Sequence, residues 1–399
     1  MTRLAALACL LFLLLPTASE AAGRAGTARA LAAQMGNAGP SSGAFAVDLD
    51  TGRTIYRKRA DTPRMPASVE KLYTSAALLD RLGAGGRLTT TVYAEVPPDA
   101  DGVVDGDLFL RGGGDPNLDV IDLGSLAAQV DAAGITAATG RVIGDEFAWD
   151  TRRGVPSSGF ALDSDVGGVL SALVANRGRT GKRAPYWQPR PAKFSANGFA
   201  RQLRHLGVDV RASTRRGRTP EDAAPLAALR SSPVGSLIRQ MNPPSDNFMA
   251  EMFIKSIAVA DGELGSTAAG ADAIEETLLD EFGIEPTVID GSGLSRSDRT
   301  SPRQVVAMLR GLADDPAFEP SLAVAGRTGT IATRMRGTAA QDRCRAKTGT
   351  LSDVSALAGY CTTTSGERVA FAFLMNYVNV YGARILQDRM TTALAKYTG

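Results

Sequence analysis

The spacing of apolar residues changes from that of strands to that of a helix within the first hundred positions. Residues 43–61, GAFAVDLDTGRTIYRKRAD, alternate apolar and polar side chains on both sides of the tripeptide at 50–52, whose Asp and Gly are typical turn residues. From Ser68 the apolar positions recur at helical spacing, and the run ends near Gly83. The pattern predicts a β-hairpin followed by a buried helix.

The segment 84–234 has short apolar runs separated by Gly, Pro and Asp. LTTTVYAEV, GDLFLRGGG and GRVIGDEFAW have the length and composition of strands, while connections such as GKRAPYWQPRP are rich in Pro and Arg. This composition predicts a mainly β insertion with some helix. Helical periodicity returns at 231–260.

Near the C-terminus the runs RCRAKTGT, VSALAGYC and RVAFAFLMNYV follow one another with short connections, which predicts an antiparallel meander. If the first turn is centred on 351–354, the register brings Cys344 opposite Cys361, at a separation suitable for a disulfide. Residues 384–397 then predict a closing helix whose apolar face contains Ile385, Leu386, Met390 and Leu394.

Residues 1–22 are predicted to be a signal peptide. Arg3 supplies positive charge, the apolar run at 4–15 follows, and small residues suited to cleavage lie just after it. That run is shorter than the roughly 20 apolar residues of a membrane span, although an uncleaved anchor is the alternative. We expect an exported protein, periplasmic or associated with the cell wall, without a stable membrane span after cleavage.

Composition excludes several classes of function. Lys and Arg number 44 against 42 Asp and Glu, and no basic cluster is interleaved with aromatic residues, so nucleic-acid binding has no support. The single histidine, His205, excludes a His-rich zinc site and leaves a Ser/His/Asp triad dependent on that one residue. We therefore expect no metal site, and we interpret His205 as a surface residue of a helix.

Three short motifs carry candidate chemistry, and each occurs by chance in many proteins when taken alone. They are Ser68-Val69-Glu70-Lys71, Ser245-Asp246-Asn247 and Lys347-Thr348-Gly349. Together and in this order they resemble the set associated with penicillin-binding proteins and class A β-lactamases.

The first motif suggests an activated nucleophile. Ser68 and Lys71 lie one helical turn apart and share a face, so Lys71 is the candidate base for the Ser68 hydroxyl. A lysine acts as a base only when it is neutral, and burial or the nearby cation of Lys347 would lower its pKa. We expect Ser245 to bridge the two amines and relay a proton to the leaving nitrogen, and the N–H groups of Ser68 and Thr350 to hold the oxyanion.

The remaining motif residues are candidate substrate contacts. Asn247 is suited to hydrogen bonding with a substrate amide. Lys347, with the hydroxyls of Thr348 and Thr350, is suited to a carboxylate, and Gly349 allows the substrate to approach the backbone closely.

Other residues with suggestive chemistry receive no catalytic role. Glu70 points away from the face shared by Ser68 and Lys71. Residues 327–330, RTGT, nearly repeat the third motif but lack its lysine. The Asp residues of GDPNLD and the pair Asp145-Glu146 are interpreted as structural, because Asp in Gly-rich turns usually is.

The sequence resembles the D-alanyl-D-alanine carboxypeptidase and endopeptidase family, the class C low-molecular-mass penicillin-binding proteins of peptidase family S13. The resemblance covers nearly all of the chain after the signal peptide. Besides the three motifs it includes DLFLRGGGDPNLD, SDNFMAEM, DGSGLSRSDRTSP and RAKTGTLSDVSALAGY.

The resemblance implies an α+β fold, with a β-lactamase/transpeptidase-like domain assembled from 23–83 and 235–399 around an antiparallel sheet and with 84–234 inserted. It also implies that Ser68 is acylated, Lys71 accepts its proton and Ser245 is the third catalytic residue. Substrates would be D-Ala-D-Ala bonds or D-Ala-linked cross-links of peptidoglycan stem peptides, β-lactams would be covalent inhibitors, and no cofactor would be needed.

Three alternatives remain open at this point. A β-lactamase would share the acylation residues but hydrolyse the acyl-enzyme quickly; the Glu-x-x-Leu-Asn segment that class A enzymes use is absent between the first two motifs. A catalytically silent cell-wall-binding protein would share the fold. A general esterase or D-amino-acid amidase would not require a free substrate carboxylate.

Overall fold

The computed structural model describes residues 23–180 and 186–399, so the predicted signal peptide at 1–22 lies outside the described residues. Within the described ranges no helix combines the length and the apolar character needed to cross a bilayer.

The strands fall into one group near the two chain ends and one group in the middle. In chain order they are β1 (Ser42–Asp48), β2 (Thr54–Lys58), β3 (Thr89–Ala94), β4 (Val103–Val104), β5 (Leu108–Arg111), β6 (Ala137–Ala138), β7 (Val142–Asp145), β8 (Arg179–Thr180), β9 (Tyr186–Trp187), β10 (Thr214–Arg216), β11 (Ala224–Arg230), β12 (Ala323–Val324), β13 (Cys344–Leu351), β14 (Val354–Thr362) and β15 (Arg368–Asn376).

The helices occur between and around these strands. In chain order they are α1 (Arg24–Gly36), α2 (Lys71–Leu82), α3 (Val120–Ala132), α4 (Pro191–His205), α5 (Val234–Met241), α6 (Asn247–Ala260), α7 (Thr267–Phe282), α8 (Pro302–Gly311) and α9 (Val380–Leu394).

The larger sheet has six strands in the order β12-β13-β14-β15-β1-β2, and every neighbouring pair is antiparallel. The hairpin predicted at 43–61 is β1–β2, and Gly52 in its turn has a φ of 70°. The predicted meander is β13–β14–β15. Because β1 pairs with β15, strands from both halves of the chain form one sheet.

This sheet is covered on both faces, as its side-chain alternation requires. Phe371 and Phe373 of β15 pack into the core formed with α1 and α9. Ala372 and Leu374 face the opposite core, which contains α2, α5, α6, α7 and α8. The start of α2 and the short turn before it, where the motif at 68–71 lies, are therefore supported by the sheet and by the helices behind it.

The segment predicted as an insertion forms a second, five-stranded sheet in the order β10-β7-β5-β3-β11. Its β10–β7 and β7–β5 pairs are parallel and the others antiparallel, so the sheet is mixed. Helices α3 and α4 pack on it around Leu126 and Phe199. The segment thus contains two long helices as well as its strands.

Contacts between the inserted segment and α6 involve both apolar and charged side chains. Trp149 and Leu170 pack against Phe248 of α6. Arg177 forms an ion pair with Asp246, whose carboxylate also caps α6 by accepting a hydrogen bond from a backbone N–H. These contacts fix the start of α6 at Asn247, the last residue of the Ser245-Asp246-Asn247 motif.

The C-terminal region contains one agreement and one correction. The register of β13 and β14 places Cys344 opposite Cys361, and a disulfide joins them. Met390 and Leu394 of α9 are buried as predicted, but Ile385 is 38% exposed and turned away from the core. The apolar spacing did not predict the exposure of Ile385, because the first turns of α9, which begins at Val380, border a cavity and do not pack entirely on the sheet.

Candidate active site

The candidate nucleophile lies in a tight turn ahead of α2. Residues Ala67–Glu70 form a short 3-10 helix, and Ala67 has a φ of 47°, which is strained for a residue with a Cβ. Lys71, the first residue of α2, is fully buried, and its Nζ donates a hydrogen bond of 3.0 Å to Ser68 Oγ. The hydroxyl and the amine are therefore in direct contact.

Lys71 has two further hydrogen-bond acceptors, Asn247 Oδ1 at 2.7 Å and the Ser292 carbonyl at 2.6 Å. Burial lowers the pKa of Lys71 to about 8, because the charged amine loses hydration. Nearby carboxylates, chiefly Asp290 and Glu251, act in the opposite direction. Near neutral pH a fraction of Lys71 is thus deprotonated and able to accept the Ser68 proton.

Asp290 and Glu251 hold the Ser292 carbonyl against Lys71. The Asp290 carboxylate accepts hydrogen bonds from the N–H groups of Ser292, Gly293 and Ser295, and Glu251 Oε1 accepts one from the Ser292 N–H at 2.9 Å. Both carboxyl groups have a raised pKa, mainly because of burial, to about 8 in the case of Glu251. The sequence showed DGSGLSR as a family-like segment but assigned no role to these residues.

Ser245 directly precedes the N-cap of α6 and has a φ of 63°. Its Oγ accepts a hydrogen bond of 2.7 Å from Lys347 Nζ, which also donates to the Thr348 carbonyl at 2.9 Å. We expected Ser245 to bridge both amines, but no hydrogen bond joins it to Lys71 in the described part of the chain. The expectation was wrong because Lys71 has its three acceptors in Ser68, Asn247 and Ser292.

Lys347 is fully buried behind the site. Burial first, and the charge of Lys71 second, lower the pKa of Lys347 well below the usual range for a lysine. Two buried amines in one electrostatic environment disfavour double protonation. A charge on Lys71 therefore favours the neutral form of Lys347.

Asn247 is engaged at both ends of its amide. Oδ1 accepts from Lys71, and Nδ2 donates to the Asp165 carbonyl at 2.8 Å. An amide nitrogen carries two hydrogens, so one N–H is left for another acceptor in the cavity that Asn247 lines.

Strand β13 runs directly beside the nucleophile turn. A Cβ on Gly349 would lie 2.3 Å from the Pro66 carbonyl oxygen, so only glycine permits this approach. Ser352 and Asp353 connect β13 to β14 as a two-residue turn, and the alternation of antiparallel hydrogen bonding then directs the Thr350 N–H away from β14. The Ser68 turn packs against β13 close to this position.

Residues 327–330, which received no role from the sequence, do reach the site. Thr330 Oγ1 shares a hydrogen bond of 2.7 Å with Thr348 Oγ1, and Thr330 lines the same cavity as Ser68. Residues 327–330 had received no role because an incomplete copy of a motif usually occurs by chance. The feature that matters in the structure is the Thr330 hydroxyl, and the missing lysine is not needed for it.

A cavity of about 830 Å³ opens in front of these groups. Ser68, Ser245, Asn247, Thr348 and Thr350 line it, and it continues to the first turns of α9. A hydroxyl in contact with a buried amine, beside N–H groups and a row of hydroxyls, is an arrangement suited to acyl transfer.

Comparison with known proteins agrees with this geometry. A model of the D-Ala-D-Ala carboxypeptidase 3 (S13) family matches residues 27–183 and 186–397. The chain belongs to this family. The three motifs and the strands and helices that position them all fall within the matched ranges.

Relatives in the S13 family cover most of the chain. A D-alanyl-D-alanine carboxypeptidase from Actinomadura sp. (strain R39) is 31% identical over 90% of this chain and 82% of its own length. Carboxypeptidase DacB from Mycolicibacterium smegmatis is 33% identical over 88% of this chain and 80% of its own. Penicillin-binding protein 4 from Haemophilus influenzae shares the fold, with a TM-score of 0.78 at 21% identity over 92% of this chain and 99% of that chain.

The remaining sequence-based interpretations concern residues outside this S13 site. His205 is exposed at the end of α4, on the inserted segment. Asp119 caps α3, Asp145 accepts hydrogen bonds from two backbone N–H groups, and Glu146 pairs with arginines. These acidic groups have structural partners, and none of them lines the cavity in front of Ser68. The described ranges also contain no group of His, Cys, Asp and Glu arranged to hold a metal.

Glu70, which was assigned no role, is fully buried, and neither of its carboxyl oxygens has a hydrogen-bond partner among the described residues. Burial and the nearby Asp298 carboxylate raise the pKa of Glu70 well above its usual range. These surroundings favour the protonated form of Glu70, which lies outside the lining of the cavity.

Proposed function

We propose that this protein is a serine DD-peptidase that hydrolyses D-Ala-D-Ala bonds, or D-Ala-linked cross-links, of peptidoglycan stem peptides through an acyl-enzyme on Ser68. The observation that carries the proposal is the 3.0 Å hydrogen bond between Ser68 Oγ and the buried Lys71 amine, whose pKa is lowered to about 8. The names of the S13 relatives support the substrate class.

In the acylation step, neutral Lys71 takes the Ser68 hydroxyl proton while Oγ forms a bond to the D-Ala carbonyl carbon. The carbonyl oxygen becomes an oxyanion between the N–H groups of Ser68 and Thr350. Collapse of the intermediate breaks the carbon–nitrogen bond. The leaving nitrogen receives a proton from the Ser245 hydroxyl, which lies against Lys347, and protonated Lys71 restores that hydroxyl with the proton it took from Ser68. The nitrogen departs as a free amine, and Lys71 is neutral again.

In the deacylation step, water attacks the Ser68 ester while a neutral amine of the site accepts one water proton. The ester carbon–oxygen bond breaks, Ser68 Oγ regains a proton, and the peptide leaves as a carboxylic acid. No oxidant or reductant enters either step, and every group named belongs to the chain or the substrate.

β-Lactams are expected to acylate Ser68 because their strained amide takes the place of the D-Ala-D-Ala bond. The amine released by ring opening stays attached to the adduct and obstructs water, so the ester persists. Two neighbours of this fold support the expectation: a penicillin G acylated endopeptidase from Bdellovibrio bacteriovorus, and the H. influenzae penicillin-binding protein 4 complexed with a β-lactam.

We further propose that 23–83 and 235–399 form the catalytic domain and that 84–234 is a domain inserted into it. The composition of the two sheets supports this division, since no strand of the five-stranded sheet lies outside 84–234. The protein would be exported to the compartment that contains its peptidoglycan substrate, and its signal peptide would be cleaved after about residue 22. Sequencing the N-terminus of the protein recovered outside the cytoplasm tests the cleavage site.

The decisive experiment is intact mass spectrometry of the protein after incubation with benzylpenicillin, followed over hours. Wild type, Ser68→Ala and the exposed control Ser125→Ala are compared, and release of D-Ala from an N-acetylated tripeptide ending in D-Ala-D-Ala is measured in parallel. A persistent single adduct on wild type and on the control, none on Ser68→Ala, and turnover of the tripeptide are expected.

Two of the alternative functions give different results in this experiment. A short-lived adduct with rapid loss of the drug would replace the proposal with a β-lactamase. A folded protein that forms no adduct and cleaves no peptide would replace it with a silent cell-wall-binding protein.

A further inference from the structure

The substrate carboxylate needs a cation that faces the cavity, and Lys347 does not provide one. The Lys347 side chain is fully buried, it is absent from the cavity lining, and its amine already donates to Ser245 Oγ and the Thr348 carbonyl. From the sequence, the substrate carboxylate was assigned to Lys347, but a different cation must face the cavity if the carboxylate is to be paired.

Arg384, in the second turn of α9, has the position that Lys347 lacks. Arg384 lines the cavity that contains Ser68, and its guanidinium donates a hydrogen bond of 3.2 Å to Thr350 Oγ1. Thr350 is itself exposed to the cavity and follows the close approach of β13 to the nucleophile turn. A guanidinium and a hydroxyl thus lie side by side next to the proposed oxyanion site.

The charge of Arg384 has no compensating carboxylate among the described residues. Asp388, one helical turn further along α9, is the natural partner for an arginine at that spacing. Arg334 takes it instead, with Nε at 2.8 Å from Asp388 Oδ1 and a further hydrogen bond to Gln387. Arg334 therefore leaves the guanidinium of Arg384 free for an anion from outside the protein.

The hydrogen bond also orients the Thr350 hydroxyl. Because Thr350 Oγ1 accepts from Arg384, its own proton is left to be donated to another acceptor. Thr348 Oγ1 lies on the same face of β13, two residues away, and shares its hydrogen bond with Thr330. The surface beside Ser68 thus presents hydroxyl donors next to the guanidinium of Arg384, and together they match a carboxylate.

We propose that Arg384, together with Thr350, binds the free α-carboxylate of the residue that leaves when the peptide bond is cut. This inference rests on the proposed peptidase function and names the residue that makes the site selective for a terminal carboxylate. Peptide bonds whose leaving residue is amidated or extended through its carboxyl group are poor substrates, because they leave the guanidinium without its anion.

The test compares two matched peptides, N-acetylated tripeptides ending in D-Ala-D-Ala with either a free carboxylate or a carboxamide. kcat/KM is measured for wild type, Arg384→Ala and Arg384→Lys. Two controls remove other cations: Arg389→Ala, exposed on the same helix outside the cavity, and Arg336→Ala, which lines the cavity without contacting Thr350.

Wild type is expected to prefer the free carboxylate, and Arg384→Ala to lower kcat/KM for that peptide by about 10- to 100-fold, as for loss of a charge-assisted hydrogen bond. The same variant should change kcat/KM for the carboxamide by less than about 2-fold, so that the preference collapses. Arg384→Lys should retain part of the preference, since it keeps the charge but not the planar fork. Raising the salt concentration should weaken the preference of wild type.

Failure of this inference is distinguishable from failure of the proposed function. If wild type cleaves the peptides and Arg384→Ala keeps the full preference for the carboxylate, or loses rate equally on both peptides, the assignment of Arg384 is wrong and the peptidase function stands. If Arg336→Ala collapses the preference to the same extent, a diffuse positive potential replaces the specific contact. If wild type cleaves neither peptide and is not acylated by benzylpenicillin, the function itself is refuted.

Discussion

Gly349 is the point at which β13 comes closest to the nucleophile turn, and replacing it with alanine perturbs that approach by one methyl group. The added Cβ would lie 2.3 Å from the Pro66 carbonyl oxygen and 3.2 Å from the Cβ of Ala67. A carbon–oxygen contact is normally at least about 3.3 Å, so the strand and the turn must separate by about 1 Å. A displacement of that size costs about 100-fold in rate when it separates reacting groups from the donors that stabilise the transition state.

We therefore expect Gly349→Ala to lower the second-order rate constant for acylation of Ser68 by benzylpenicillin about 100-fold. The free energy of unfolding should fall by only about 1 to 3 kcal/mol, the usual effect of overpacking. Gly85→Ala is the matched control, because nothing lies within 4 Å of the Cβ it adds. A folded Gly349→Ala protein that is acylated within about 3-fold of the wild-type rate would refute the close approach as a requirement for acylation.

Three further predictions concern buried groups. Glu251→Gln removes a carboxyl group whose ionised form raises the pKa of Lys71. The rate of Ser68 acylation rises with pH as Lys71 loses its proton, and in this variant the midpoint of that rise should move below about 8. An unchanged or higher midpoint would contradict this. The pKa of Glu70 is raised in the folded state, so wild-type stability falls as pH rises above the pKa of Glu70 in the unfolded chain. In urea unfolding, Glu70→Gln should therefore lose less stability than wild type between about pH 6 and about pH 9. An equal loss in both proteins would contradict this. Replacing Cys344 and Cys361 together with alanine should lower the free energy of unfolding by about 2 to 4 kcal/mol, measured in urea without reductant, and no change would show that the disulfide adds nothing to the pairing of β13 with β14.

The sequence was sufficient for features that depend on local spacing. The hairpin at 43–61, the helix after Ser68 and the strand register opposite Cys344 follow from periodicity and turn residues, because each is decided by neighbours within about twenty positions. The family resemblance supplied the antiparallel sheet shared by both chain ends, which no local pattern contains.

Contacts between residues far apart in the sequence could not be predicted from local spacing. The hydrogen bond between Lys71 and the Ser292 carbonyl spans 221 residues, and it removes the bridge that we expected from Ser245. Thr330 and Arg384 were overlooked because a hydroxyl in a partial motif and an arginine on an amphipathic helix have no distinctive spacing. Their contacts with Thr348 and Thr350 exist only once the sheet has formed.

The pairing of β1 with β15 means that the candidate site can form only late in synthesis and folding. Ser42 pairs with Met375, so the catalytic sheet has high contact order and closes only after nearly the whole chain is available. During vectorial synthesis the five-stranded sheet, whose strands all lie between 89 and 230, has its partners first. A nascent chain that carries Ser68 and Lys71 but has not reached Thr350 lacks half of the proposed oxyanion site, so we expect the candidate nucleophile to be inactive until synthesis is almost finished.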